Sequence, residues 1–157
     1  MRNISIDRLD ATPRPVVAIG TDYAYGQWLP RHTHRRAQLL YGATGVMQVT
    51  THDGNWVVPP QRAVWIPAGV AHEVLMLGVS PRSLYIEPSA VGLGQRCQVI
   101  SVSPLMRHLL MEAVEIPLEY AENSRDAALI ALLLHELALS THLPLHIPLP
   151  LDARLLA

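Results

Sequence analysis

The stretch His32-Thr33-His34-Arg35-Arg36-Ala37-Gln38, followed further on by Pro67-Ala68-Gly69-Val70-Ala71-His72, decides how this chain is to be read. His32 and His34 stand two apart in a segment that reads as strand, with Gln38 four residues after His34. Side chains two apart on a strand project from the same face. An unbroken strand over residues 32–41 would therefore set His32, His34 and Gln38 side by side. His72 follows the turn signal Pro67-Ala68-Gly69, which brings a further strand back toward the first. Two neutral imidazoles on one strand and a third from another make a common type of divalent metal site. The expectation is a small β-barrel with a metal in its mouth.

The surrounding sequence supports a β architecture up to about residue 102. Short runs rich in Val, Ile, Thr, Trp and Tyr occupy residues 16–19, 32–41, 46–51, 56–58, 63–66, 73–77, 83–87 and 98–102, broken by Gly and Pro. Short strands at this even spacing read as an all-β sandwich or barrel. Asp53-Gly54 marks a hairpin, and Pro59-Pro60 argues against a central strand at that point.

The period changes near residue 103. Ser103-Pro104 reads as an N-cap followed by Pro in the first helical turn, with apolar residues at helical spacing over 105–116 and Pro117 as the stop. A second helix starts at Asn123 or Ser124, carries Asp126 in its first turn, and runs to His142. Leu129, Leu132, Leu133, Leu134, Leu137 and Leu139 wrap well over half of it. A helix this apolar is buried on more than one side. The expectation is that Leu129, Leu133 and Leu137 meet a partner helix from a second copy, giving a homodimer. Residues 143–157, with Pro144, Pro148 and Pro150, read as an extended linker. The chain thus divides into a barrel at 1–102, a helical dimerisation appendage at 103–142 and a linker at 143–157.

Composition narrows the function classes. With 157 residues the chain fits one domain or one domain with an appendage, and a net charge of −1 gives no reason to expect direct binding to nucleic acid or membrane. The single cysteine, Cys97, forms no internal disulfide, which fits a cytoplasmic location. Neither a signal-peptide h-region nor a transmembrane run is present in the sequence. Ser101, Ser103 and Cys97 show no nucleophile setting. His52, His108, His135, His142 and His146 have no partner at metal spacing and read as ordinary surface or boundary residues.

Other side chains near the histidines are candidates for ligand contact. Arg36 shares their strand parity and would clamp an anion if it points inward, whereas a bend between residues 34 and 38 would throw it into solvent. Trp28, Tyr41, Met47, Trp65 and Met76 would line a small apolar pocket, although core packing explains each of them equally well.

His32, His34, Gln38 and Gly45, with Gly26 upstream, follow the first motif of the cupins, and Pro67-Ala68-Gly69-Val70-Ala71-His72 follows the core of the second. The fold this resemblance implies is mainly β: a cupin-like double-stranded β-helix, or jelly-roll barrel, here followed by two C-terminal α-helices. By resemblance His32, His34, Gln38 and His72 are the candidate metal ligands. Zinc or nickel suits them best, with iron, copper or manganese as further options. Two departures stand out: Gln38 replaces the usual carboxylate, and Gln61 stands where the second motif opens with Gly. Gln38 lacks a negative charge and a general base, which favours a sensing or structural site. Alternatively it is a buried amide that fixes one imidazole in its tautomer.

The longer run RHTHRRAQLLYGATGVMQVTTHDGNWVVPPQRAVWIPAGVAHEV resembles the sensor domain of AraC-type transcription regulators. The two helices and the Pro-rich segment after them are similar to the stretch leading into the DNA-binding half of such proteins. The resemblance implies a small-molecule or metal effector, a helical dimer interface, and DNA contact only through a C-terminal helix-turn-helix module not contained in this sequence. Two other readings compete: a metal-dependent cupin enzyme of dioxygenase or isomerase type, and a metal-free binding module.

Overall fold

The computed structural model describes residues 9–90, 93–143 and 146–148. Eleven strands are present among them: β1 (Val16–Gly20), β2 (Gln27–His32), β3 (Ala37–Gly42), β4 (Val46–Thr51), β5 (Gly54–Val58) and β6 (Arg62–Ile66) come first. They are followed by β7 (His72–Leu77), β8 (Arg82–Ile86), β9 (Gln98–Ser101), β10 (His142–Leu143) and β11 (His146–Pro148). Helices α1 (Pro104–Ala113) and α2 (Arg125–Ala138) lie between β9 and β10. The strands form two antiparallel sheets, in the orders β1-β8-β3-β6-β9-β10 and β11-β5-β4-β7-β2. This is the jelly roll with two helices that the sequence predicts.

The burial pattern of each strand states its place. In the second sheet, β4, β5 and β7 alternate between buried and part-exposed residues, as expected of a sheet with one wet face. In the first sheet, β1 and β3 are buried at every position, because both faces are covered. The inner face packs Leu40, Val64, Ile66 and Val99 against Met47, Val49, Trp56, Val58, Val74 and Met76 of the opposite sheet. The outer face presents Leu39, Tyr41, Trp65, Leu84 and Ile100 to Met106 and Leu110 of α1 and to Leu129, Ile130, Leu133 and Leu137 of α2.

That second core corrects the expected dimer contacts. Leu133 and Leu137 are 0% exposed and Leu129 is buried within the same protomer. The apolar helix does need a second covered side, and the chain's own barrel supplies it. Both helix starts match expectation: the Ser103 Oγ accepts from the Met106 N–H at 3.0 Å, and the Ser124 Oγ accepts from the Ala127 N–H at 3.2 Å. Ser124→Ala should therefore lower unfolding stability by about 1 kcal/mol, measurable as a shift in the urea midpoint at unchanged slope. The end of α2 differs. The helix stops at Ala138 rather than His142, and His142–Leu143 pairs with β9 instead.

The expected linker is extended but paired where it is described, since residues 146–148 run antiparallel to β5. Residues 144–145 and 149–157 of that segment lie outside the described residues.

Two backbone positions explain motif residues. At Gly45 (φ +72°) a Cβ would come within 2.3 Å of the Gly78 carbonyl oxygen, so the β3–β4 and β7–β8 turns can meet only over a glycine. Gln61 has φ 62°, the left-handed region that glycine occupies most cheaply, and its N–H donates to the Gly42 carbonyl at 2.8 Å.

Candidate metal centre

The histidine cluster forms, but by a different route from a single strand. The expected strand over residues 32–41 is broken: β2 ends at His32, residues 33–36 form a bend, and β3 begins at Ala37 in the other sheet. The run Thr33-His34-Arg35-Arg36 is uniformly polar and carries the chain across from one sheet to the other. His32 and His72 therefore come from neighbouring strands of one sheet, His34 from the crossing loop, and Gln38 from the sheet opposite.

Register aligns the first pair. β2 pairs with β7 as Leu29↔Val74, and after an irregularity at Pro30-Arg31 the pairing resumes as His32↔His72. One extra residue on an edge strand is a β-bulge, a position that tolerates proline and re-aims the side chain beyond it. The Gly69 N–H donates to the His34 carbonyl at 2.9 Å, tying the crossing loop to the turn that introduces β7. The three rings consequently cluster, with centroids 4.8 Å apart for His32–His34, 4.3 Å for His32–His72 and 5.3 Å for His34–His72. One ring nitrogen from each lies within 4.8 Å of the others, and this is the only such group of His, Cys, Asp or Glu among the described residues.

Hydrogen bonds prepare these nitrogens as donors to a metal. The His32 Nδ1 lies 2.6 Å from the Pro30 carbonyl, and the His72 Nδ1 lies 2.8 Å from the Val70 carbonyl. A carbonyl only accepts, so each Nδ1 carries the proton and each Nε2 keeps its lone pair. Backbone carbonyls commonly orient metal-binding imidazoles in this way. The His72 Nε2 and the His34 Nδ1 are buried without a hydrogen-bond partner, as is the Gln38 Oε1. Gln38 is held by its other end, its Nε2 donating to the Ser83 Oγ and the Tyr85 Oη at 3.2 Å each. Buried, unpartnered donor atoms on His34, His72 and Gln38, all lining one cavity, fit a divalent cation and are costly without one.

Electrostatics agrees with neutral donors. Burial pushes His34 down to about 4, with the neighbouring His32 and His72 adding to the effect. Burial also pushes His72 down to about 4, helped by His32 and Arg31 and opposed by the hydrogen bond to Val70. Burial raises the Tyr85 hydroxyl far above its ordinary value, so it remains protonated beside the cluster.

The four candidate ligands border a cavity of about 310 Å³ between the sheets. Its walls are Ile19, Leu29, Leu40, Val74 and Met76, with hydroxyls from Thr21, Tyr23, Ser83 and Tyr85. Of the other candidates only Met76 lines this cavity. Met47 is in the inter-sheet core, Tyr41 and Trp65 face the helices, and Trp28 is 56% exposed on edge strand β2. Arg36 goes neither into the cavity nor into solvent. It is 1% exposed, and its Nη2 donates to the Thr12 carbonyl at 3.0 Å and lies 3.3 Å from a Glu87 carboxylate oxygen.

Sequence reasoning missed Tyr85 and Ser83, although a signal was present. They alternate on β8, and Tyr85 pairs directly with Gln38 across the sheet. A larger, more open groove of about 930 Å³ lies at Asp53, Trp56, Leu93 to Gln98 and His142. It holds no cluster of ligating side chains, and burial, with Asp53, pushes its Cys97 thiol up to about 12, which leaves it unreactive.

Comparison with known proteins places this architecture. The chain is 35% identical over 120 residues to the HTH-type transcriptional regulator NimR of Escherichia coli (strain K12), covering 76% of this chain and 44% of that protein. It thus spans less than half the length of that relative. Among solved structures it is similar to an apo ToxT variant from Vibrio cholerae strain SCE256 at a TM-score of 0.57 and 8% identity, over 78% of this chain and 54% of that one. That likeness shows the fold alone. Oxalate decarboxylase from Bacillus subtilis matches 55% of this chain and 24% of its own at a TM-score of 0.44 and 18% identity. Residues 14–138, covering β1 to β9 and both helices, match the model for the AraC-like ligand binding domain, and the chain belongs to that family.

Proposed function

We propose that this chain is the effector-sensing and dimerisation part of an AraC-type transcription regulator, with a divalent metal held by His32, His34 and His72 and by the Gln38 Oε1. The carrying observation is the convergence of buried, unpartnered donor atoms on a ligand-sized cavity in a domain of the ligand-binding family. Zinc or nickel suits the donor set best, since neutral imidazole and an amide oxygen form a borderline site. The metal would supply a fixed positive charge to which an entering ligand binds. Among the described residues no carboxylate lines the cavity, so no acidic side chain is placed for proton transfer, and this supports a regulatory over a catalytic reading.

A contiguous set of hydrogen bonds links the cavity to the helices. The crossing loop holds the N-terminal segment through Arg36 to the Thr12 carbonyl and through Arg35, whose Nη2 donates to the Asp10 carbonyl at 3.3 Å. That segment holds the α1–α2 connection: the Thr12 Oγ1 donates to the Leu118 carbonyl at 3.4 Å, and the Arg14 Nε donates to the Tyr120 carbonyl at 2.6 Å. A ligand that shifts His34 would bias this chain of contacts, which is the differential interaction a two-state switch requires. For the homodimer, the exposed face of α2 offers Ala128, Ala131, Leu132, His135 and Ala138 at helical spacing, continued by Leu139 at its C-cap. Its small residues allow close approach to the same face of a second copy around a two-fold axis. DNA contact belongs, in this reading, to a separate helix-turn-helix domain. Among the described residues no helix is long and apolar enough to cross a membrane.

The test is metal content. Protein purified without a nickel column should carry about one divalent metal ion per chain by elemental analysis, lose it to a chelator, and regain it on dialysis. Absence of metal, together with no heat of zinc binding by calorimetry, would leave a metal-free binding module as the better account.

A further inference from the structure

The donor set bordering the cavity carries no formal charge: three neutral imidazoles and an amide oxygen. Among the described residues that line the cavity there is no Asp, Glu, Lys or Arg. Acids nearby in the chain are engaged elsewhere. Asp10 and Glu87 pair with Arg35, and Glu87 also pairs with Arg36. Glu73 has the opposite strand parity to buried His72 and sits on the outer face of β7. Arg31 adjoins His32 at the irregularity in β2 and adds positive potential at this end of the cavity. A dication here would keep its whole charge in a partly enclosed pocket walled only by neutral side chains, where uncompensated charge is costly. Compensation has to arrive with whatever enters.

The walls say what carries that charge. Ile19, Leu29, Leu40, Val74 and Met76, drawn from both sheets, give the cavity apolar walls beside the hydroxyls, which a hydrated inorganic anion would leave unused. The volume of about 310 Å³ equals roughly ten waters at ~30 Å³ each, enough for one small organic molecule. We propose that the cavity is a receptor for a small organic carboxylate, its anionic oxygen directed to the histidine and Gln38 end and its hydrocarbon body against Leu40, Val74 and Met76. This rests on the metal reading above. Gln38 is then the specificity residue: by leaving the metal uncompensated, it makes the anion part of the site.

The experiment compares benzoate with benzamide, near-identical in shape and different in charge, on chelator-stripped protein reloaded with cobalt(II). Benzoate should shift the visible cobalt spectrum saturably, and benzamide should bind at least tenfold more weakly. Gln38→Glu should raise cobalt affinity and lower benzoate affinity, each at least tenfold, because the carboxylate then comes from the protein. Arg31→Glu, an exposed change that leaves the fold intact, should weaken benzoate about two- to threefold at low salt and keeps the test valid if the first variant folds poorly. Equal binding of the amide and the acid, or benzoate affinity unmoved in both variants, overturns the proposal while leaving the metal site standing. A protein that takes up no cobalt removes the metal reading and this inference together.

Discussion

Replacing His72 by Ala should remove the stabilisation that zinc gives this domain without weakening the metal-free protein. At a free zinc concentration one hundred times its Kd, the wild type should gain about 2.7 kcal/mol. For a domain of this length that is about 5–10 °C in melting temperature. In the metal-free state the His72 Nε2 is buried without a partner, an arrangement that costs about 1–3 kcal/mol. Truncation relieves that cost and leaves a small void in its place, so the two effects offset within about 1 kcal/mol. The expected pattern is therefore coincident melting curves in chelator and widely separated ones in zinc. His72→Ala protein that still gained the full zinc shift, or that lost stability equally in chelator, would show a packing role instead. His32→Ala should repeat the pattern, because its Nε2 is prepared in the same way by the Pro30 carbonyl.

Leu133→Glu should abolish cooperative folding, whereas Leu132→Glu should leave the fold intact and disrupt the proposed dimer. These residues are neighbours in sequence and opposites in environment: Leu133 is 0% exposed in the core shared by α1, α2 and the first sheet, while Leu132 is 42% exposed. An unpaired carboxylate in the first position, added to the lost packing, costs more than about 4 kcal/mol, a large part of a typical domain's stability. A glutamate in the second position meets water in the monomer and changes stability within about 0.5 kcal/mol. In the proposed dimer it would meet its own copy across a two-fold interface, where like charges repel. Sedimentation and thermal melting on both variants separate the outcomes. A folded, monomeric Leu133→Glu protein would restore the buried leucines to the interface.

The sequence carried the chemistry of this site more faithfully than its geometry. The four candidate ligand positions were legible because the two motifs have fixed spacing, but the side chains come together by another route than a shared face on one strand. Five consecutive polar residues, His32 to Arg36, cannot sit in a strand covered on both faces, and that run is where the chain changes sheets. The pocket residues failed through the same error. Once Gln38 and Leu40 are known to face inward, Tyr41 has to face outward by alternation, and the structure buries it under the helices. The helix α2 was legible in position and N-cap, but leucines on most of its circumference do not say whether a sheet or a partner subunit covers them. That decision rests with the outer face of a distant sheet, built from strands such as β3 and β6 whose second apolar face has no period of its own to read.

The irregularity at Pro30-Arg31 and the polar crossing loop together place donors on both layers of the sandwich, His32 and His72 on one and Gln38 on the other. An ion held by all of them, as proposed, would act as a rivet through the two layers. Breathing of the sandwich and loss of the ion would then be one event, so protection from amide exchange should rise in both layers wherever metal occupancy rises. Vacancy would loosen the same end of the molecule that holds the N-terminal segment, which would make the stiffness of the sandwich, more than any change in its outline, the quantity such an ion controls.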